Sequence, residues 1–155
     1  MAIKDSELIL NPDGSVYHLN LKPENISDTI IFVGDQDRVE KITTHFDDIE
    51  FSTQKREFKT QTGYYKDRRI SVISTGIGPD NIDIVLNELD ALVNINLDTR
   101  QPKSNLTSLN IIRVGTSGAL QEHIKVDDFV LSTHGLDING MLHFYQIESH
   151  QQPLQ

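Results

Sequence analysis

Apolar residues in this chain fall into several short runs and one long amphipathic stretch, with glycine-bearing turns between them. Thr29-Ile30-Ile31-Phe32-Val33 is a compact β-branched and aromatic run closed by Gly34, and it predicts a buried strand. Val39, Ile42 and Phe46 then recur at helical spacing behind Asp35, whose side chain can accept a hydrogen bond from a free N–H at a helix start. Residues 50–65 alternate irregularly, with Phe51, Phe58, Tyr64 and Tyr65, and predict one or two strands around Gly63. Ile70–Ser74 predicts another strand. After it, Thr75-Gly76-Ile77-Gly78-Pro79-Asp80-Asn81 reads as a tight turn opening the clearest helix. On that helix Ile82, Val85, Leu86, Leu89, Leu92 and Val93 form one apolar face. Residues 98–108 are polar and read as a surface loop. Leu109–Val114 predicts a strand running into Gly115-Thr116-Ser117-Gly118, and Phe129–Ser132 a further one. Strand–helix–strand alternation points to an α/β architecture with a largely buried sheet.

Composition narrows the function. The chain has 155 residues, 37% of them hydrophobic and 24% charged, a soluble globular mixture large enough to bury a core. Its net charge is −9 and no dense basic run is present, which argues against nucleic acid as a partner, since neutralising a phosphate backbone takes clustered Lys and Arg. Any anion must be held by a few well-placed cations. The absence of cysteine excludes disulfides and thiolate metal sites. The start, Met1 to Glu7, is polar and unlike a signal peptide, and no apolar run reaches membrane-spanning length. A cytoplasmic protein with no membrane partner is expected. Residues 1–15, with the turn signal Asn11-Pro12-Asp13-Gly14, are expected to be a mobile arm or a hairpin edge preceding a domain over 16–155.

Three glycine-bearing turns follow predicted strands, the place where open α/β sheets collect ligands. Gly34-Asp35-Gln36-Asp37-Arg38 combines a close-approach glycine, a helix start with unpaired N–H groups, and an arginine within the first turn. By itself it equally describes a capped helix with a surface charge. Thr75-Gly76-Ile77-Gly78 begins like a dinucleotide turn, but Asn81 stands at the third glycine position, so it reads as a tight turn beside a pocket. Arg113-Val114-Gly115-Thr116-Ser117-Gly118 puts a charge at the end of an apolar strand, costly unless paired, beside two glycines and two hydroxyls that form a cradle for phosphate or a sugar hydroxyl. The alternative is a strand-end turn with Arg113 in an internal salt bridge. The six histidines, among them His45, His123, His134, His143 and His150, show no metal-ligand spacing. Asp47-Asp48 and Asp127-Asp128 are adjacent and point apart, which makes a glycosidase acid pair a poor reading.

In order along the chain, Val16-Tyr17-His18-Leu19, Gly34 to Ile42, Arg56-Glu57-Phe58, Ser74 to Gly78 and Arg113 to Ala119 resemble the nucleoside phosphorylase family of the uridine phosphorylase and purine nucleoside phosphorylase type. The resemblance implies an α/β fold with a mixed central β-sheet flanked by helices, phosphorylase/hydrolase-like. It also implies phosphorolysis of a nucleoside, with uridine preferred, to a free base and ribose 1-phosphate. Gly34, Arg38, Arg56, Arg113, Gly115 and Thr116 would bind phosphate, with Arg38 and Arg113 as the catalytic pair and Arg56 reaching a neighbouring subunit's site. His18, Thr116, Ser117 and Gly118 would contact the nucleoside, His18 through the ribose of a partner's site. Glu57 and the backbone at Ile77 match a monovalent-cation (K+) site. Inorganic phosphate would be co-substrate with no further cofactor, and the protein a homo-oligomer with shared active sites.

Arginine suits this chemistry because its planar fork fixes the orientation of phosphate as well as its charge. Three such residues favour a phosphorylase over a nucleosidase of the same fold, which attacks with water. Gln36 replaces a common proline, and residues 98–108 read as an insertion. Family members continue well beyond Gln155, so the resemblance implies a chain apparently lacking the C-terminal part. A nucleosidase of the same fold, or a catalytically inactive truncated fragment that binds phosphate or a partner subunit, is therefore the alternative reading.

Overall fold

The computed structural model describes residues 2–146; His150 and the tail Ser149–Gln155 lie outside the described residues. The chain divides into two units, Met1–Thr116 and Ser117–Gln155. In the first, a five-stranded sheet has the order β2-β3-β4-β1-β7. The strands are β1 (Thr29–Val33), β2 (Asp48–Lys55), β3 (Phe58–Tyr65), β4 (Arg68–Ser74) and β7 (Asn110–Arg113). β1 runs parallel to both β4 and β7, whereas β2, β3 and β4 form an antiparallel meander, so the sheet is mixed.

Strand β1 is apolar from Ile30 to Val33, in keeping with cover on both its faces. Ile30 and Phe32 join the larger core with Val16, Leu19, Phe58, Ile73 and the helix α2 (Pro79–Asn94). Ile31 and Val33 face the other way and pack with Val39, Ile42 and Phe46 of the segment around α1 (Gln36–Thr43). Two helices thus clasp opposite faces of the sheet. Helix α1 begins as its sequence predicts, with Asp35 accepting from Asp37 N at 3.0 Å. Helix α2 starts with Pro79 at its first position behind Gly78, whose φ of 106° needs glycine.

The structure refines some expectations and overturns others. The 50–65 region is two strands with a turn at Arg56-Glu57, and β3 returns into β4 through Lys66 and Asp67, both at positive φ (48° and 64°). That is the mirror-image turn geometry that suits a twisted hairpin, reached here without the usual Asn-Gly signal. Residues 98–108 are not wholly loop: β6 (Gln101–Pro102) pairs antiparallel with β5 (Ile95–Asn96). Arg100 between them anchors the N-terminal residues, donating from Nη1 to Leu8 O at 2.6 Å and pairing with Asp5 at 3.1 Å. Around the early turn signal, Leu10 and Val16 form an isolated antiparallel bridge, and Val16 is fully buried. Residues Phe129–Ser132 are not a strand. An apolar run needs a hydrogen-bonded neighbour to become one, and this run has none among the described residues; Phe129 and Leu131 stay exposed. Among its described residues the second unit contains turns and a short 3-10 helix over Met141–Phe144.

Candidate active site

The three turns singled out from the sequence are the connections that leave the C-terminal ends of the parallel strands β1, β4 and β7. They meet because those strands are neighbours: Thr75 N donates to Val33 O at 2.8 Å, and Val114 N to Phe32 O at 2.9 Å. At this edge the Arg113 guanidinium lies between two glycines. A Cβ on Gly34 would stand 3.1 Å from its Nη2, and one on Gly115 3.2 Å from its Nη1. The missing side chains at both positions let the guanidinium approach the backbone closely. Nη1 also donates to the carbonyl of Val114, which holds the fork against its own turn.

Arg38 comes from the first turn of α1, and its Nη2 donates to Thr116 Oγ1 at 3.4 Å. Two of the three arginines expected at the phosphate site thus approach the same two turns, Arg113 through Gly34 and Gly115 and Arg38 through Thr116. Among the described residues neither has a carboxylate within 4.0 Å, whereas Arg69 and Arg100 are both ion-paired. The internal salt bridge considered for Arg113 is not seen among the described residues. A groove of about 550 Å3 opens beside α1, floored by Ile31, Val33, Ile42 and Phe46, with Arg38, Gly115 and Thr116 among its lining residues. Arg113 does not line it, so only its polar lining coincides with the cradle.

Arg56 occupies the turn of the β2–β3 hairpin at φ 56°, exposed, rather than a strand position. Gln54 ties this turn to the start of α1, donating to Gln36 Oε1 at 2.7 Å. The neighbouring Glu57 lies against Gly76 and accepts from Asn81 Nδ2 at 3.1 Å, while the same amide donates to Ile77 O at 3.3 Å. The Ile77 side chain is exposed. Asn81 thus joins the two groups expected at a cation site, and no group of three or more His, Cys, Asp or Glu residues suited to a metal occurs among the described residues. Ser117 and Gly118 belong to the second unit and are exposed.

His18 lies on the α2 face, with its ring edge-on to Tyr17 and to Phe58. Glu88, which the sequence reading missed, grips it. This buried carboxylate accepts from His18 N at 2.8 Å, Leu19 N at 2.8 Å and the ring Nδ1 at 2.7 Å. A signal was present: Glu88 shares the apolar face of α2 with Val85, Leu89 and Leu92, where an unpaired charge would be expensive.

Residues 28–154 match the model of the Phosphorylase superfamily. Uridine phosphorylase of Thermococcus kodakarensis is 34% identical over 128 residues, covering 83% of this chain and 41% of that protein. A DeoD-type purine nucleoside phosphorylase of Thermoanaerobacter sp. is 34% identical over 116 residues, covering 74% of the chain and 44% of the relative. Among solved structures, a Trypanosoma brucei nucleoside phosphorylase described as showing uridine phosphorylase activity superposes with a TM-score of 0.69 at 38% identity, covering 76% of this chain and 41% of that one. The chain spans less than half the length of these relatives. With a family model matched over residues 28–154 and relatives 34% identical across 74–83% of its length, the chain belongs to the phosphorylase superfamily.

Proposed function

We propose that this chain forms the phosphate-binding portion of a nucleoside phosphorylase acting on a nucleoside, with uridine preferred, and inorganic phosphate. The observation that carries the reading is the packing of the Arg113 fork against Gly34 and Gly115 while Arg38 reaches Thr116 at the adjoining turn. Cations that have no carboxylate partner among the described residues, set beside the carboxyl ends of parallel strands, suit a small tetrahedral dianion. In the proposed reaction a phosphate oxygen bonds to the anomeric carbon as the C–N bond breaks, and the bonding pair leaves with the base. Phosphate is a weak nucleophile, so holding it beneath the sugar is a large part of the catalysis. Arg113 and Arg38 fix it, with Gly34, Gly115 and Thr116 supplying close backbone and a hydroxyl.

In the same reading Arg56 and His18 act across an interface in a homo-oligomer, His18 on the ribose, and Ser117 and Gly118 lie near base and sugar. Glu57 and Ile77 would hold a monovalent cation such as K+, and the cytoplasm is the working compartment. The test is release of uracil from uridine with and without phosphate. Arg113→Ala is expected to abolish the phosphate-dependent release while leaving the circular dichroism spectrum unchanged. Release that ignores phosphate would mark a nucleosidase, and normal turnover by the variant would refute the arginine clamp.

A further inference from the structure

The geometry points to Glu88 as the positioning residue for His18, holding its imidazole as the Nδ1–H tautomer so that Nε2 is presented as a hydrogen-bond acceptor for a sugar hydroxyl. The inference rests on the sugar-contacting role proposed for His18. A neutral imidazole has one donor and one acceptor nitrogen, and the partner of one nitrogen dictates the role of the other. Here Nδ1 sits 2.7 Å from Glu88 Oε1, and a carboxylate can only accept, so Nδ1 carries the proton. The carboxylate itself is not free to turn. Oε2 accepts from Leu19 N at 2.8 Å, and Oε1 also takes His18 N at 2.8 Å, so both oxygens are committed to one short segment.

That segment is also held on its other side. Lys55 Nζ donates to the carbonyl of Tyr17 and to Asn11 Oδ1 at 3.1 Å, and lies 4.1 Å from the centre of the Tyr17 ring. The His18 side chain keeps 27% of its surface accessible while that of Glu88 keeps 11%. Among the described residues no partner is recorded for Nε2. A buried carboxylate on the apolar face of a helix is expensive, and three N–H groups from one turn account for its presence. The result is a preset ring in a partly open position, the arrangement a ligand contact needs.

The test uses the whole chain labelled with 15N-histidine. At a pH where the ring is neutral, long-range 1H–15N spectra are expected to show His18 with Nδ1 protonated and Nε2 bare. A ring protonated at Nε2 instead would overturn the inference without any variant. In Glu88→Gln the amide must turn an NH2 toward an N–H, so the single tautomer should give way to a mixture. The KM for uridine should rise about tenfold, while the KM for phosphate stays within about twofold. A variant that retains the wild-type ring spectrum, or one in which both KM values rise alike, would also overturn it. If the wild-type chain neither binds phosphate nor cleaves uridine with it, the proposed phosphate-site function falls, and the ring nitrogens still decide the Glu88–His18 lock.

Discussion

Gly34 and Gly115 both face the Arg113 guanidinium. Added methyl groups would meet Arg113 nitrogens at 3.1 and 3.2 Å, and the neighbour that must yield is the end of a flexible side chain. Gly34→Ala should therefore lower stability by less than about 1 kcal/mol, yet move the fork and weaken phosphate binding measured by isothermal titration. Equal phosphate affinity in that variant would show that the fork position does not matter. Arg56 separates fold from function in another way. Its backbone sits in the left-handed region at φ 56°, where a non-glycine residue is strained. Arg56→Gly relieves that strain while making the unfolded chain more flexible, so the two effects oppose each other and stability should stay within about 1 kcal/mol. Phosphate-dependent turnover should nevertheless drop if Arg56 serves a neighbouring site.

At the scale of elements, the sheet and helix α2 each have a tight point. Gly63 on β3 faces β2 where the register shifts between Ile49 and Phe51, and a Cβ there would stand 2.1 Å from Asp48 O. Backbone cannot yield as a side chain can. Gly63→Ala should cost about 2 kcal/mol or more in urea denaturation, far beyond the Gly34 variant. Leu89 of α2 is 1% exposed in the larger core, and Leu89→Ala should cost about 2–5 kcal/mol by the same measurement.

Across the antiparallel meander, Arg69 on β4 pairs with Glu50 on β2, its Nε 3.0 Å from Oε2, and also donates from Nη2 to Glu24 O at 2.6 Å. The guanidinium holds the Glu50 carboxyl below its ordinary value of 4.5. A depressed carboxyl stabilises the fold above that value, and its contribution disappears as pH falls through the lower folded value. Glu50→Gln should accordingly flatten the acid limb of stability below pH 4.5 and leave its slope near neutrality unchanged.

At the scale of the whole molecule, β7 forms one edge of the described sheet, and its Ile112 is 55% exposed. Exposed apolar residues on an edge strand leave it open to pairing with a further strand. If Arg56 and Arg113 complete one phosphate site from two subunits, mixing Arg56→Ala with Arg113→Ala chains should restore part of the turnover that each lacks alone. In a dimer built randomly from the two, a quarter of the sites would carry both native arginines, so roughly a quarter of wild-type activity is expected. No recovery after subunit exchange, verified by sedimentation of tagged mixtures, would place both arginines in one chain's site.

By itself the sequence determined the buried strand β1, the Asp35 cap of α1, the amphipathic face of α2 and the three turns after β1, β4 and β7. These depend on local rules: two-fold and 3.6-fold periodicity, capping, and the conformational freedom of glycine. The ordered motifs likewise carried the family, because they are strings of adjacent residues. Tertiary structure alone decided that β1 lies between β4 and β7, which is what brings Gly34, Arg113 and Thr116 to one edge. It also decided that 98–108 supplies one strand of a small hairpin, that Phe129–Ser132 is no strand, and that Glu88 serves His18 from 70 residues away. Each of these depends on which partner completes a hydrogen bond or compensates a buried charge. Partners distant along the chain leave no periodic trace in it.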